Sequence, residues 1–339
     1  MLTTVIMGAG VAGRELHHRS LRRVRPDQPV VFVDPVPQQD VPWVPDFDAF
    51  TERNRPSDAV VHICTPTPTH VPILGELIER GVRRFVLEKP IASSSAELDL
   101  LGNWVAEVPD LTILPMAVWP YSAAVQTARD FVRLTLAGSD GDGLVLHMAQ
   151  EKFRRVDSTR NRGGTTSAFD VELPHQALLA RHLLGPVDEV EEAECWPAPW
   201  AAHDPSSGGA RLRLRHRNGA VSHLSTDLAA AERRRHIRLT AGTGTRWCEV
   251  GLPLSRDRPW SRVRRNGMPQ LRYDDRPIDA FLDHAYGAFE ERAGLTSPTV
   301  PFDHHIDAAD LILTVRAAAR RIRGADDART VLHDTPSPG

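Results

Sequence analysis

The stretch "TTVIMGAGVAG", residues 3–13, constrains this chain more than any other. An apolar run ends in Gly8, Gly10 and Gly13, spaced G-x-G-x-x-G. Glycines at that spacing let backbone approach a pyrophosphate while N–H groups at a helix start point at it. Helix formers follow from Arg14 to Arg25 and stop at Pro26, and "PVVFVDP" then reads as a buried strand ending at Asp34, 21 residues beyond Gly13. Strand, glycine turn, helix, strand and acid form one β–α–β unit, which gives the motif its weight. Gly8, Gly10, Val11, Ala12 and Gly13 are therefore expected at the phosphates of a dinucleotide. Asp34 either caps the loop that follows it or accepts hydrogen bonds from the adenosine ribose; in the second case it repels a 2′-phosphate, which favours NAD over NADP.

Length and charge narrow the class. The 339 residues suit two domains, and a net charge of −3 gives no general attraction to nucleic acid or membrane. Cys64, Cys195 and Cys248 are far apart and lack metal-ligand spacing, so no metal and a reducing, cytoplasmic location are expected. The start lacks a basic, long-apolar leader pattern, and no 18-residue apolar run suggests a membrane span.

Further along, "AVVHI" reads as a strand, and the prolines of "TPTPT" force a loop at its carboxyl end. "VPILGELIERG" is a helix closed by Gly81, and "VRRFVLEKP" is a strand delivering Glu88, Lys89 and Pro90 to the same sheet edge. Ser94 and Glu97 have the spacing of a capping box. Ligands of doubly wound sheets bind at that edge, so Lys89 is expected near the nicotinamide end.

These pieces together resemble the glucose–fructose oxidoreductase and inositol dehydrogenase family, Gfo/Idh/MocA: the glycine turn, Thr65-Pro66 with His70, and Glu88-Lys89-Pro90, in that order. The resemblance implies an α/β Rossmann domain with a doubly wound parallel sheet at residues 1–118. It also implies an α+β domain with a large open, mostly antiparallel sheet at 119–339, for substrate binding and assembly into a homodimer or homotetramer. It adds Thr65, Pro66, His70, Glu88 and Lys89 to the cofactor side and gives Lys89 a catalytic place between nicotinamide and substrate.

The second half carries strand-like alternation in "GLVLHMAQEKFRR", "GARLRLRHR", "AVSHLSTDL", "RRHIRLTAG" and "TRWCEVGL". Where the family often has Asn-Arg-Arg-Phe, this chain has Val118-Trp119-Pro120-Tyr121; Trp119 and Tyr121 either stack on a sugar ring or pack a hinge. The polar loop after Phe153 contains Arg154, Arg155, Arg160 and Arg162. It binds an anionic substrate group, with Arg154 and Arg162 as candidates, or reflects arginine-rich composition alone. In "FDVELPHQ", the ten-residue spacing to Gly185 aligns His175 with the family's histidine, while Val171 occupies its aspartate position. Asp170 and Glu172 flank that gap: Asp170 would need a one-residue bulge to turn inward, and Glu172 has the longer arm.

The chemistry follows from these side chains. Oxidising an alcohol needs a base for the hydroxyl proton, which His175 supplies near neutral pH. Lys89 donates to the same oxygen, and burial beside a cationic ring would lower its own pKa. The expectation is an NAD(H)-dependent oxidoreductase of the CH–OH class, acting on a secondary hydroxyl or ketone of a sugar, cyclitol or sugar derivative, phosphorylated or nucleotide-linked. Alternatives are a C=N reductase resembling thiazolinyl imine reductases, an elimination enzyme that recycles bound NAD, and a non-catalytic dinucleotide sensor.

Overall fold

The computed structural model describes residues 2–137, 143–153, 167–201, 204–242, 244–255, 258–290 and 300–321. The chain divides into two units. The first comprises residues up to Ser122 together with Arg276–Asp310; the second comprises Ala123–Asp275 and the described residues from Leu311 onward.

Six parallel strands form the first unit's sheet: β1 (Thr3–Met7), β2 (Val30–Val33), β3 (Trp43–Val44), β4 (Ala59–Ile63), β5 (Arg84–Leu87) and β6 (Thr112–Pro115). Their order, β3-β2-β1-β4-β5-β6, reverses direction between β1 and β4, the topological switch point where such sheets bind ligands. β4 is buried at every position, as a central parallel strand covered on both faces must be. The glycine turn opens not into an ordinary helix but into a π-helical segment, Ala12–His18, which continues as α1 (Arg19–Val24). α2 (Phe47–Thr51) is capped by Asp46, whose carboxylate accepts from Ala49 N–H at 2.8 Å. α3 (His70–Glu79) ends before Gly81 at φ +90°. α4 (Ser95–Glu107) begins with Ser94 Oγ accepting from Glu97 N–H at 3.3 Å, and the Glu97 carboxylate reaches back one residue further, to Ser93 N–H at 2.5 Å.

The second unit's sheet has nine strands: β7 (Val145–Phe153), β8 (Val187–Trp196), β9 (Gly209–His216), β10 (Val221–Asp227), β11 (Ala229–Ala241), β12 (Arg246–Gly251), β13 (Trp260–Arg265), β14 (Met268–Asp274) and β15 (Arg320–Arg321). The order is β14-β13-β12-β11-β7-β10-β9-β8-β15, antiparallel except at β7–β10 and β8–β15. Period-two alternation sends Leu146, Met148 and Gln150 of β7 and Leu224 of β10 to the buried face. α5 (Ala123–Ala137), α6 (Ala168–Val171) and α7 (Leu173–Leu184) belong to this unit, and α5 and α7 pack on the sheet. On the opposite face one row of paired residues runs Arg213, His223, His147, Arg238, Glu249, Arg264 across six strands. His147 and His223 stack with centroids 4.5 Å apart.

The division into units differs from a single cut at 118/119, and packing gives the reason. α8 (Pro277–Phe289) lies against α1 of the first unit. Arg23 donates to both carboxylate oxygens of Asp279 at 2.7 and 2.6 Å, and Phe281 meets the Tyr121 ring edge-on at 5.4 Å. α9 (Phe302–Ala318) contributes its residues up to Asp310 to the same unit. Among the described residues no helix is long and apolar enough to cross a membrane.

Candidate active site

At the end of β1 the backbone turns at Gly8, φ +98°, where a side chain would collide with the Cys64 carbonyl 2.9 Å away. A Cβ on Gly13 would overlap the Gly8 carbonyl oxygen, so that residue must be glycine for the helical segment to sit this close to the strand. Gly10 is the opposite case: nothing lies within 4 Å of its Cβ position, and Val11 beside it is 46% exposed. The turn is thus packed below and open above, which fits a phosphate-bearing ligand over Gly10. Asp34, just beyond the end of β2, accepts from Ala9 N–H at 2.8 Å and from Val36 N–H at 2.9 Å. Each carboxylate oxygen keeps a further acceptor position, which suits ribose hydroxyls. Asp34 therefore both ties the turn to β2 and offers an anion at the expected ribose end.

The carboxyl ends of β4 and β5 are joined by His70. One of its ring nitrogens lies 2.9 Å from the Pro90 carbonyl and the other 2.8 Å from the Thr65 carbonyl. Burial pushes the His70 pKa down, and this outweighs the upward pull of the two carbonyls. The ring thereby ties the loop after Thr65-Pro66 to the turn containing Lys89-Pro90, a cis peptide. Glu88 is 8% exposed. One of its oxygens lies 3.0 Å from His17 Nε2, and the other accepts Lys89 N–H at 3.1 Å. Burial works against its charge, but His17 and Lys89 prevail and bring its pKa down to about 2.

Trp119 and Tyr121 belong to the buried interior of the first unit, at 6% and 7% exposure. Tyr121 packs between Phe281 and His284, so its contacts there are those of a core residue.

In the second unit, α6 and α7 meet at Glu172, and Pro174 occupies the first turn of α7. The two flanking acids part company there. Asp170 is half-exposed and accepts from Arg316 at 2.9 Å. Glu172 is buried and paired with Lys152 of β7. Burial alone would raise the Glu172 pKa; the positive charges of Lys152, Arg235 and His175 lower it to about 2. His175, the third residue of α7, is partly exposed and close enough to Glu172 to act on it electrostatically. Lys152, Glu172, Arg235 and His175 thus form one charged cluster on the helix-covered face of the sheet. No bulge is needed, and the family's aspartate position remains the buried Val171. Arg154 and Arg162 lie outside the described residues.

Sequence reasoning passed over Lys152 and Arg235. A signal for the first was present: Lys152 continues the alternation of Leu146, Met148 and Gln150, so it belongs to the face carrying the candidate histidine. It is also one of only two lysines, with Lys89, among 41 basic residues. Arginine is always charged, whereas a lysine's proton can be tuned, and both lysines stand at candidate site positions. Among the described residues no His, Cys, Asp and Glu side chains group as a metal site.

Comparison with known proteins bears on the fold. Residues 2–111 match the GFO_IDH_MocA family, described as an oxidoreductase family with an NAD-binding Rossmann fold. A UDP-N-acetylglucosamine 3-dehydrogenase from Acidithiobacillus ferrooxidans is 19% identical, with a TM-score of 0.71 over 94% of this chain and 97% of that one. A 3-ketoreductase from Actinomadura kijaniata, solved with TDP-benzene and NADP, is 15% identical, with a TM-score of 0.72 over 95% and 99%. An oxidoreductase from Agrobacterium radiobacter, solved with NAD+, L-tartaric acid and magnesium, is 14% identical, with a TM-score of 0.71 over 94% and 96%. At these identities the likeness is one of fold. Among curated proteins, none matches the chain by sequence.

The charged cluster makes a direct prediction. Glu172→Gln leaves Lys152 and Arg235 without their buried carboxylate and is expected to cost about 3 kcal/mol at pH 7. Because the native carboxyl is depressed from 4.5 to about 2, its contribution is present above pH 4.5 and fades as pH falls toward 2. Urea unfolding at pH 7 and pH 3 should show a large difference between native and variant at the first pH and a smaller one at the second. Over residues 2–111 the chain is similar to the NAD-binding Rossmann domain of the Gfo/Idh/MocA oxidoreductase family.

Proposed function

We propose that this oxidoreductase uses NAD(H) to interconvert a secondary hydroxyl and a ketone on a sugar derivative, with Lys89 and His175 handling the proton. The observation carrying this reading is the placement of Lys89 just past the end of β5, on the sheet edge that holds the open glycine turn and Asp34. When bound, the nicotinamide ring supplies or accepts the hydride. The chain's residues do the rest. Gly10 and the N–H groups at the start of the π-helical segment hold phosphate. Asp34 orients the ribose, His70 fixes the two loops, and Lys89 donates to the substrate oxygen. His175 takes the hydroxyl proton in oxidation and returns it in reduction. Glu172, held by Lys152, stabilises the charge that forms on His175. The names of the similar UDP-N-acetylglucosamine 3-dehydrogenase and 3-ketoreductase make C3 of a nucleotide-linked sugar the first candidate to try.

A panel of nucleotide sugars, free sugars and cyclitols, followed by NADH absorbance, tests the reading. On the substrate it identifies, His175→Ala and Lys89→Ala are each expected to lower turnover by roughly 10²–10⁴-fold, with NAD affinity and melting temperature little changed. The double variant should lose less than the product of the two losses, since both groups serve one oxygen. Near-native turnover in His175→Ala would leave that histidine a structural residue.

Cofactor preference follows from Asp34. NAD should bind more tightly than NADP by calorimetry, and Asp34→Ala should narrow the gap by removing the anion that opposes a 2′-phosphate. Equal affinities in the native chain would contradict this.

The row of arginine, histidine and glutamate side chains on the sheet face opposite the helices favours self-association through that face. Arg213 pairs with Glu191 at 2.6 Å, and Arg238 and Arg264 flank Glu249 at 3.4 and 3.7 Å. Two copies related by a two-fold axis could continue the same pattern. Light scattering at micromolar concentration should report a dimer or tetramer, and a monomer would overturn the assignment.

A further inference from the structure

Beneath the first unit's sheet edge runs a line of buried polar groups that the proposed chemistry does not use. Thr4, His17, His62 and Tyr286 are each fully buried. Thr4 Oγ meets the Tyr286 hydroxyl. That hydroxyl lies 3.0 Å from His62 Nε2, His62 Nδ1 lies 2.9 Å from His17 Nδ1, and His17 Nε2 lies 3.0 Å from Glu88. They come from β1, α8, β4 and the π-helical segment, and they end on the residue preceding Lys89.

The direction of these bonds can be worked out. Glu88 is ionised and only accepts, so His17 donates through Nε2–H. A neutral His17 then accepts at Nδ1, which requires His62 to carry its proton on Nδ1. His62 Nε2 accepts from the Tyr286 O–H, and the Tyr286 oxygen accepts from the Thr4 O–H. Tyr286, His62 and His17 each give once and receive once, Thr4 gives and Glu88 receives. The reverse direction needs an extra proton on His17 and leaves the Thr4 hydroxyl hydrogen with no acceptor among the described residues. Burial also holds His62 neutral.

We propose that Thr4, Tyr286, His62 and His17 form a one-way hydrogen-bond chain ending on Glu88, and that this chain keeps Glu88 a fixed anion beside Lys89. These are positioning residues. Lys89 must carry a proton to donate one, and an adjacent buried carboxylate favours its ammonium form. Among the described residues, Lys89 acts on Glu88, while Arg25, 5.8 Å over the Tyr286 ring, and Glu290 act on Tyr286. Glu88 in turn acts on Cys64 and His70. The role given to Lys89 rests on the proposed function; the chain itself does not.

Nitrogen-15 NMR of histidine-labelled full-length protein reads the chain without any substrate. At pH 7, His17 should be the Nε2–H tautomer and His62 the Nδ1–H tautomer. The same tautomer in both, or His62 protonated on Nε2, overturns the direction. Tyr286→Phe should shift the His62 Nε2 signal toward that of an unbonded nitrogen, and no shift overturns the Tyr286 link. Carbon-13 labelling of glutamate carboxyls, with the Glu88 signal assigned by Glu88→Gln, reads the other end of the chain. In His17→Leu the Glu88 titration midpoint should rise by about one pH unit or more. His17→Gln, which keeps an N–H for Glu88, should restore it, and the Glu172 midpoint should not move. A purely structural role would lower melting temperature in both variants and leave the Glu88 midpoint in place, and that outcome overturns the positioning role. Absence of turnover on every sugar tested would instead remove the proposed function and leave the NMR results standing.

Discussion

The approach of Gly13 to the Gly8 carbonyl sets the geometry of everything at the first unit's ligand edge. A Cβ at residue 13 would occupy the carbonyl's place, so the helical segment can lie against β1 only because that atom is missing. From this contact the open turn at Gly10, the N–H of Ala9 held by Asp34, and the burial of His17 all follow. The π-helical character of Ala12–His18 belongs to the same constraint. A wider turn changes which side chain of the segment points inward, and here it is His17, toward β4 and Glu88.

Charge is handled differently at the two buried glutamates. Glu88 is held by His17, at the end of a series of hydrogen-bonded groups, with Lys89 next to it in the chain. Glu172 is paired with Lys152, and Arg235 adds its charge. Both bring a glutamate to about 2, one mainly through hydrogen bonding to His17 and the other mainly through Coulombic attraction to Lys152. The distinction matters for salt. A direct ion pair near a polar cluster responds to ionic strength more than an enclosed hydrogen-bond chain does.

The sequence disclosed the first unit's strands and turns well because central parallel strands are nearly all apolar and their ends are marked by Gly, Pro and Asp. Gly8, Gly13, Asp34 and the strand end at Glu88 could be placed from that punctuation, whereas His70 was singled out by the family resemblance. The α8 segment could not, because its attachment depends on Asp279, Phe281 and Tyr286 finding partners well over a hundred residues earlier, and no local pattern encodes a partner. Lys152 was legible in principle from alternation and from the rarity of lysine. His62 was hidden by its setting: one polar letter in "AVVHI" reads as an interruption until Tyr286 and His17 are seen on either side of it. The choice between Asp170 and Glu172 likewise needed the actual junction of α6 and α7, since one residue of helical phase decides which acid turns inward.

The discontinuity of the first unit has a consequence for synthesis. Thr4 and Tyr286 are separated by 282 positions and Arg23 and Asp279 by 256. When the six parallel strands have left the ribosome, the helix that completes their interior does not yet exist, and the whole nine-stranded sheet bar its last short strand must be translated first. During that interval His62 lacks its hydroxyl donor and Arg23 its carboxylate. A half-made chain therefore exposes an unfinished polar interior and the apolar surface around Phe281's eventual seat, the kind of surface that holdase chaperones bind. The nucleotide-binding half cannot mature ahead of the rest, and a truncated transcript would yield an unstable fragment rather than a free-standing dinucleotide binder.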